Sequence, residues 1–213
     1  MNLALSPLYA ILSADIFPGA PEGWARRLAE AGVGMIQYRD KHAASGELLR
    51  VARLLSALAA SHAFRFVMND RADVAALAGA GGVHVGQDDL PVEAARRICG
   101  PDCWVGISTH NLDQLRAAIA TSADYIAVGP IFATATKANP DPVVGVEFVR
   151  EARKLTGKPL VAIGGITAER AAEVYAAGAD SLAVAADLAA APDLAARVRD
   201  YLRAAQSVPR RAG

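Results

Sequence analysis

Cysteine is scarce. The chain of 213 residues holds only Cys99 and Cys103, four apart around Gly100-Pro101, with no second Cys or His cluster beside them. That count excludes a disulfide-built scaffold and offers no tetrahedral zinc set, so both are expected as reduced structural thiols. Net charge is lacking too: Lys plus Arg and Asp plus Glu each number 22. A balanced chain neither coats nucleic acid nor carries an acidic tail, and any anion site has to be built locally. No stretch reaches the ~18–20 consecutive strongly apolar residues that a membrane-spanning helix needs. Met1–Tyr9 has no basic segment followed by an apolar run, as a secretory signal would require. The expectation is a cytoplasmic globular domain without membrane or nucleic-acid partners, and a homo-oligomer stays open. Hydrophobic residues reach 53%, but 48 residues are alanine, so large apolar side chains are in ordinary supply for one domain.

What is present is a regular beat of short apolar run, polar punctuation and helix. The runs are Leu8–Leu12, Met35–Tyr38, Phe64–Met68, Gly82–Val85, Trp104–Ile107, Tyr125–Val128, Leu160–Ile163 and Ser181–Val184. They are continuous rather than alternating, which suits strands covered on both faces, as in a parallel sheet. Between them lie Ala-, Leu-, Arg- and Glu-rich stretches of helical character: Trp24–Ala31, Glu47–Ser61, Leu112–Ala120, Val146–Leu155, Ala168–Ala176 and Leu194–Ala204. Thr167 stands where an N-cap belongs.

An internal echo points to a repeat. Glu30–Ile36, Ala78–Val85 and Ala177–Val184 each end a helix on small residues and run into a strand, and Thr121–Ile126 is a weaker copy. Glycine just past a helix takes the left-handed conformation cheaply, so the four read as turns of one type. Eight such units without a composition break predict an α/β fold, a single-domain (β/α)₈ TIM barrel over residues 1–206 with a frayed tail at 207–213. An open doubly wound sheet would usually carry a phosphate fingerprint after its first strand, and Ser13–Gly19 has no Gly-x-Gly-x-x-Gly.

In a barrel the chemistry belongs where strands run out into βα loops, and the opposite end should be bland. The polar residues follow that rule. Run two ends in Gln37-Tyr38-Arg39-Asp40-Lys41, run three in Asn69-Asp70-Arg71, run four in Gly86-Gln87-Asp88-Asp89 and run five in Ser108-Thr109-His110. Run six ends in Gly129-Pro130, followed by Thr134-Ala135-Thr136-Lys137, and run seven in Gly164-Gly165-Ile166-Thr167. Arg39, Lys41 and Lys137 are donors suited to phosphate oxygens. The diglycine opens a helix after a strand, where free N–H groups favour a phosphate. Asp70 and Asp89 end adjacent strands, and two carboxylates held together want a cation between them. Opposite phosphate-binding cations, Mg²⁺ is the sensible one; an ion pair of Asp70 with Arg71 or Arg39 is the competing reading. Gly129–Gly145 is long for a connection in a compact barrel, which suggests a lid or disorder. His84 reads as a buried, hydrogen-bonded core residue, and His110 at the rim stays undecided.

Taken together, Gln-x-Arg-x-Lys, Asn-Asp-Arg, Gly-Val-His-x-Gly-Gln-x-Asp-Leu-Pro, Gly-Pro-x-Phe-x-Thr-x-Thr-Lys and Ile-Gly-Gly-Ile resemble the thiamine phosphate synthase family, from about Tyr9 to Tyr201. The resemblance implies a barrel that joins 4-amino-2-methyl-5-(diphosphooxymethyl)pyrimidine to a 4-methyl-5-(2-phosphooxyethyl)thiazole and releases diphosphate. It implies a pyrimidine diphosphate site of Gln37, Tyr38, Arg39, Asp40, Lys41, Asn69, Ser108 and Lys137, with Arg39, Lys41, Lys137 and Ser108 as its catalytic members. It implies Mg²⁺ on Asp70 and Asp89, and a thiazole phosphate site of Thr134, Ala135, Thr136, Gly165, Ala185 and Ala186. The chain departs from the family at the end of that site. A serine is usual where Ala186 stands, and a small residue where Asp187 follows. One charge-assisted hydrogen bond is thereby lost, roughly 1.5–3 kcal/mol, which would raise the thiazole KM without abolishing turnover. Two alternatives remain at this point: a thiazole tautomerase, and a phosphate-ligand binder without turnover.

Overall fold

Each apolar run becomes one strand of a closed parallel barrel. The strands are β1 (Leu8–Ser13), β2 (Met35–Arg39), β3 (Arg65–Asn69), β4 (Gly82–Val85), β5 (Trp104–Thr109), β6 (Tyr125–Val128), β7 (Leu160–Ile163) and β8 (Ser181–Val184), hydrogen-bonded in chain order with β8 returning to β1. The helices are α1 (Pro21–Glu30), α2 (Ser45–His62), α3 (Ala72–Ala78), α4 (Val92–Cys99), α5 (Leu112–Ile119), α6 (Gly145–Leu155), α7 (Ala168–Ala176), the short α8 (Ala186–Ala189) and α9 (Leu194–Ser207). The computed structural model describes residues 5–134 and 141–208. None of the helices among the described residues is long and apolar enough to cross a membrane.

The strands are buried on both faces because they separate two cores. Leu8, Ala10, Leu12, Ile36, Phe66, Val83, Ile126 and Leu182 face the ring of helices. Tyr9, Ile11, Met35, Val67, Tyr125, Ala127, Val161 and Ala183 fill the interior. Period-two alternation is therefore invisible in the sequence, since both partners of each pair are apolar. The interior packs a tyrosine against a missing side chain. A Cβ on Gly106 would lie 2.1 Å from Tyr125 Cζ, so the Tyr125 ring occupies the space that glycine leaves. The rings of Tyr9 and Tyr125 meet edge to face at 6.1 Å.

Three of the four echoed turns share one geometry. Gly32, Gly79 and Gly178 have φ of +105°, +65° and +113°. The amides of Val33, Ala80 and Ala179 reach back to Leu28, Ala75 and Val174 carbonyls, closing each helix in the same way. The fourth departs from the expectation. With no glycine, Thr121 bonds the Ala118 carbonyl through its hydroxyl, and Ser122 is held by Glu93. Thr167 does sit at the N-cap of α7, but its hydroxyl makes no cap bond and engages the Glu169 carboxylate instead. α9 reaches Ser207, and most of the expected tail, residues 209–213, lies outside the described residues. Cys99 and Cys103 are free thiols that donate to the Ala72 and Trp104 carbonyls.

The closed end of the barrel is not bland, contrary to expectation. Asp124, just ahead of β6, accepts the Val105 amide at 2.6 Å and the Arg96 guanidinium, which also binds the Cys103 and Ser122 carbonyls. Asp180, just ahead of β8, accepts the Leu160 amide at 2.7 Å and Arg153 at 2.9 Å, and Arg153 binds the Thr156 and Lys158 carbonyls. The charges there are spent on strand ends rather than on a ligand.

Candidate active site

At the open end, β2 alternates its side chains between the two cores. Gln37 and Arg39 point toward the barrel axis and mouth, while Tyr38 packs among the helix-facing residues. The Tyr38 hydroxyl donates to Asp40 Oδ2 at 3.2 Å, and burial, followed by the Asp40 charge, pushes that phenol up to about 12. Asp40 Oδ1 accepts the His42 and Ala43 amides and so fixes the β2–α2 loop. Through these bonds Tyr38 and Asp40 shape the loop that carries Lys41, and with Ser13 and Ala14 they line a pocket. Arg39 lies against Ser13 Oγ at 3.3 Å and Asp15 Oδ2 at 3.4 Å.

Asp70 and Asp89 do come together. Asp70 takes φ +61°, a left-handed backbone that Asp tolerates better than most residues, and its amide binds the His84 carbonyl at 2.7 Å. Asp89 is aimed by its own loop, accepting the Gly86 amide at 2.7 Å. The Asp89 carboxyl lies close enough to Asp70 to act on its ionisation. Burial, the contact with Asp89 and its charge all push the Asp70 carboxyl above the ordinary carboxylate range. Lys41 Nζ, 3.2 Å from Asp70 Oδ2, opposes them. Neither expected rival holds Asp70: Arg71 pairs with Asp73 and Arg39 with Asp15. No group of three or more metal-ligating side chains forms among the described residues. A desolvated Asp70 carboxylate with a second carboxylate beside it fits a hard divalent cation that takes its other oxygens from phosphate and water, which is how Mg²⁺ is usually held.

A buried chain of polar groups crosses the barrel beneath this mouth. Gln37 Nε2 donates to Tyr9 Oη at 2.7 Å, Tyr9 Oη bonds Tyr125 Oη at 3.1 Å, Tyr125 Oη bonds His84 Nδ1 at 3.1 Å, and His84 Nε2 bonds Ser108 Oγ at 2.8 Å. His84 stacks on the Tyr125 ring at 5.5 Å. It is buried and hydrogen-bonded as expected, and it also orients Ser108. Gln87 secures the Ser108 carbonyl at 2.6 Å. Tyr125→Phe would strip a partner from both Tyr9 and His84. We expect a loss of about 1–3 kcal/mol, read as a lower urea midpoint at unchanged m; a midpoint like that of the wild type would show that the chain carries no stability. Asn69 ends β3, level with His84 of β4. His110 is tied to the Gly129 carbonyl at 2.6 Å and lies 3.4 Å from Asp141 Oδ2, so it anchors the β6–α6 connection.

On the other side of the mouth, a cleft of about 630 Å³ is bounded by Thr134, Gly165, Thr167 and Ala186. Gly165 is obligatory: with φ +61°, a Cβ there would sit 2.4 Å from the Ala133 carbonyl oxygen. Phe132 N–H donates to the Gly164 carbonyl at 2.9 Å, which seats the loop on the diglycine. Ala185 is half-buried beside the cleft and packs on the core. Ala135, Thr136 and Lys137 fall outside the described residues.

The family model for thiamine monophosphate synthase matches residues 8–188. The chain belongs to the thiamine monophosphate synthase family. It is therefore an enzyme of thiamine biosynthesis on a TIM barrel. A thiamine-phosphate synthase of Koribacter versatilis is 51% identical over 196 residues, covering 90% of this chain and 92% of its own. One from Shouchella clausii is 41% identical, covering 92% and 95%. The solved thiamine phosphate pyrophosphorylase of Pyrococcus furiosus superposes with a TM-score of 0.85 at 30% identity, covering 94% of this chain and 95% of that one. Within this family member, sequence reasoning missed Tyr9, Tyr125, Ser13 and Asp15. The tyrosines sit inside apolar runs, where a hydroxyl leaves no mark on the pattern. Ser13 ends β1 and Asp15 follows it, where the other polar loops also begin, and that position was the available signal.

Proposed function

We propose that the chain condenses 4-amino-2-methyl-5-(diphosphooxymethyl)pyrimidine with 4-methyl-5-(2-phosphooxyethyl)thiazole, giving thiamine monophosphate and diphosphate by a Mg²⁺-assisted dissociative substitution. The observation that carries this reading is the Asp70 carboxyl at the barrel mouth, 3.2 Å from Lys41 and close enough to Asp89 for that charge to raise it. When bound, Mg²⁺ on Asp70 and Asp89 would supply Lewis-acid neutralisation of diphosphate charge. Lys41, with Arg39 beside it on β2, places further positive charge where the leaving group gathers its electrons. The C–O bond of the pyrimidine methylene breaks with its electron pair going to diphosphate. The thiazole nitrogen lone pair then forms the C–N bond, so no enzymic nucleophile takes part.

Gln37, Asn69 and Ser108, from β2, β3 and β5, would receive the pyrimidine. Gln37 and Ser108 are each oriented from below by the tyrosine–histidine chain. A rigid polar floor of this kind holds the methylene in line with the incoming nitrogen. Lys137 joins the diphosphate site, and Thr134, Ala135, Thr136, Gly165, Ala185 and Ala186 the thiazole phosphate site, on the family resemblance.

The test mixes the two substrates with the protein and follows diphosphate. Release that depends on both substrates and on Mg²⁺, and that EDTA abolishes, is the expected result. A tautomerase or a binder without turnover would release none.

A further inference from the structure

The cleft beside Gly165 contains a cation that its neighbours leave unneutralised. Arg170, in the first turns of α7, is exposed and lines the cleft with Thr134, Gly165 and Ala186. Among the described residues no carboxylate pairs with it; its guanidinium lies over the Phe132 ring, 4.5 Å from the centroid. The nearby acids are engaged elsewhere. Glu169 is 2.8 Å from Arg197 Nη1, and Asp187 is 3.6 Å from the same nitrogen while accepting the Tyr201 hydroxyl at 2.8 Å.

The ring that carries Arg170 is itself fixed on the diglycine. Besides the Phe132 amide bond to Gly164, a Cβ on Gly165 would lie 2.9 Å from Phe132 Cβ. The guanidinium is therefore held one side chain away from the Gly165 backbone. A guanidinium held over an aromatic face keeps its in-plane N–H fork for an anion, and phosphate oxygens match that fork. The facing residue, Ala186, brings only a methyl group to the same cleft.

We propose that Arg170 binds the phosphomonoester of the second substrate and sets the specificity of this cleft for a phosphorylated over an unphosphorylated thiazole. The inference rests on the synthase reading for the identity of the ligand, and it makes Arg170 the charged contact where the chain has no hydroxyl at position 186.

Arg170→Met keeps the apolar stem against Phe132 and removes the charge. We expect the KM for thiazole phosphate to rise about tenfold, one charge-assisted contact, with kcat and the KM for the pyrimidine diphosphate changed less than about twofold. The dephosphorylated thiazole alcohol should not distinguish R170M from wild type. A186S placed in the R170M background should recover part of the loss. Calorimetric titration of thiazole phosphate into the protein alone should show the same tenfold weakening, and it reads the contact whether or not turnover occurs. Unchanged KM and Kd in R170M, or an equal loss for the alcohol, would overturn the inference while leaving the synthase reading intact. A wild-type protein that binds thiazole phosphate through Arg170 yet releases no diphosphate would overturn the synthase reading and support the contact.

Discussion

Asp89→Asn is expected to lower kcat by about a thousandfold, ~4 kcal/mol, on the scale of the charge stabilisation that a bound metal lends a transition state. The substitution is chosen because Asp89 also has a structural task. Its Oδ2 accepts the Gly86 amide at 2.7 Å, and an amide oxygen in the same place can accept that bond. What Asn removes is the charge that Asp70 meets at close range. Since burial and the Asp89 charge together hold the Asp70 carboxyl above its ordinary range, the wild-type pair is held against repulsion near neutral pH. Activity and stability should therefore part company: kcat falls while the melting temperature holds or rises. A parallel fall in both would mean that Asp89 serves the fold. Undiminished turnover would remove the metal site from the mechanism.

The largest effect on stability should come from Gly106→Ala. The added Cβ would lie 2.1 Å from Tyr125 Cζ and 2.4 Å from its hydroxyl oxygen. The ring cannot yield cheaply, because it is fully buried and bonded to both Tyr9 and His84. Overpacking and a broken polar chain together should cost about 3–5 kcal/mol. In a domain of this size that is a fall in melting temperature of roughly 10 °C. Gly46→Ala is the control: it lies in α2 with nothing within 4 Å of the new Cβ, and it should change stability by less than about 1 kcal/mol, upward if at all. If G106A melts with the wild type, the interior has slack that this packing denies.

The barrel was legible in the sequence because parallel strands announce themselves as unbroken apolar runs. Gly82–Val85, Tyr125–Val128, Leu160–Ile163 and Ser181–Val184 need no adjustment at either end. The same property hid the interior. When both faces are apolar, nothing in Tyr125-Ile-Ala-Val says which side the phenol takes, so the chain from Gln37 to Ser108 emerges only in three dimensions. Asp70 and Asp89 could be paired from sequence because both close adjacent strands. Tyr38 and Asp40 could not be separated from Gln37 and Arg39, because strand parity at a rim is lost within a residue or two of the loop. Arg170 is one arginine among many on the helices in sequence, and only the Phe132 ring beneath it sets it apart.

The Asp124 and Asp180 carboxylates bear on a different difficulty. A strand that is greasy on both sides has no preferred alignment with its neighbour, since sliding it by two residues preserves every inward and outward position. Asp124 grips Val105 twice, its own amide giving to the Val105 carbonyl at 2.8 Å while its side chain takes the Val105 amide, and Asp180 treats Leu160 the same way. Each two-handed grip, locked by an arginine, works as a vernier stop: it admits one setting of the sixth and eighth staves and leaves a slipped neighbour with a stranded carboxylate.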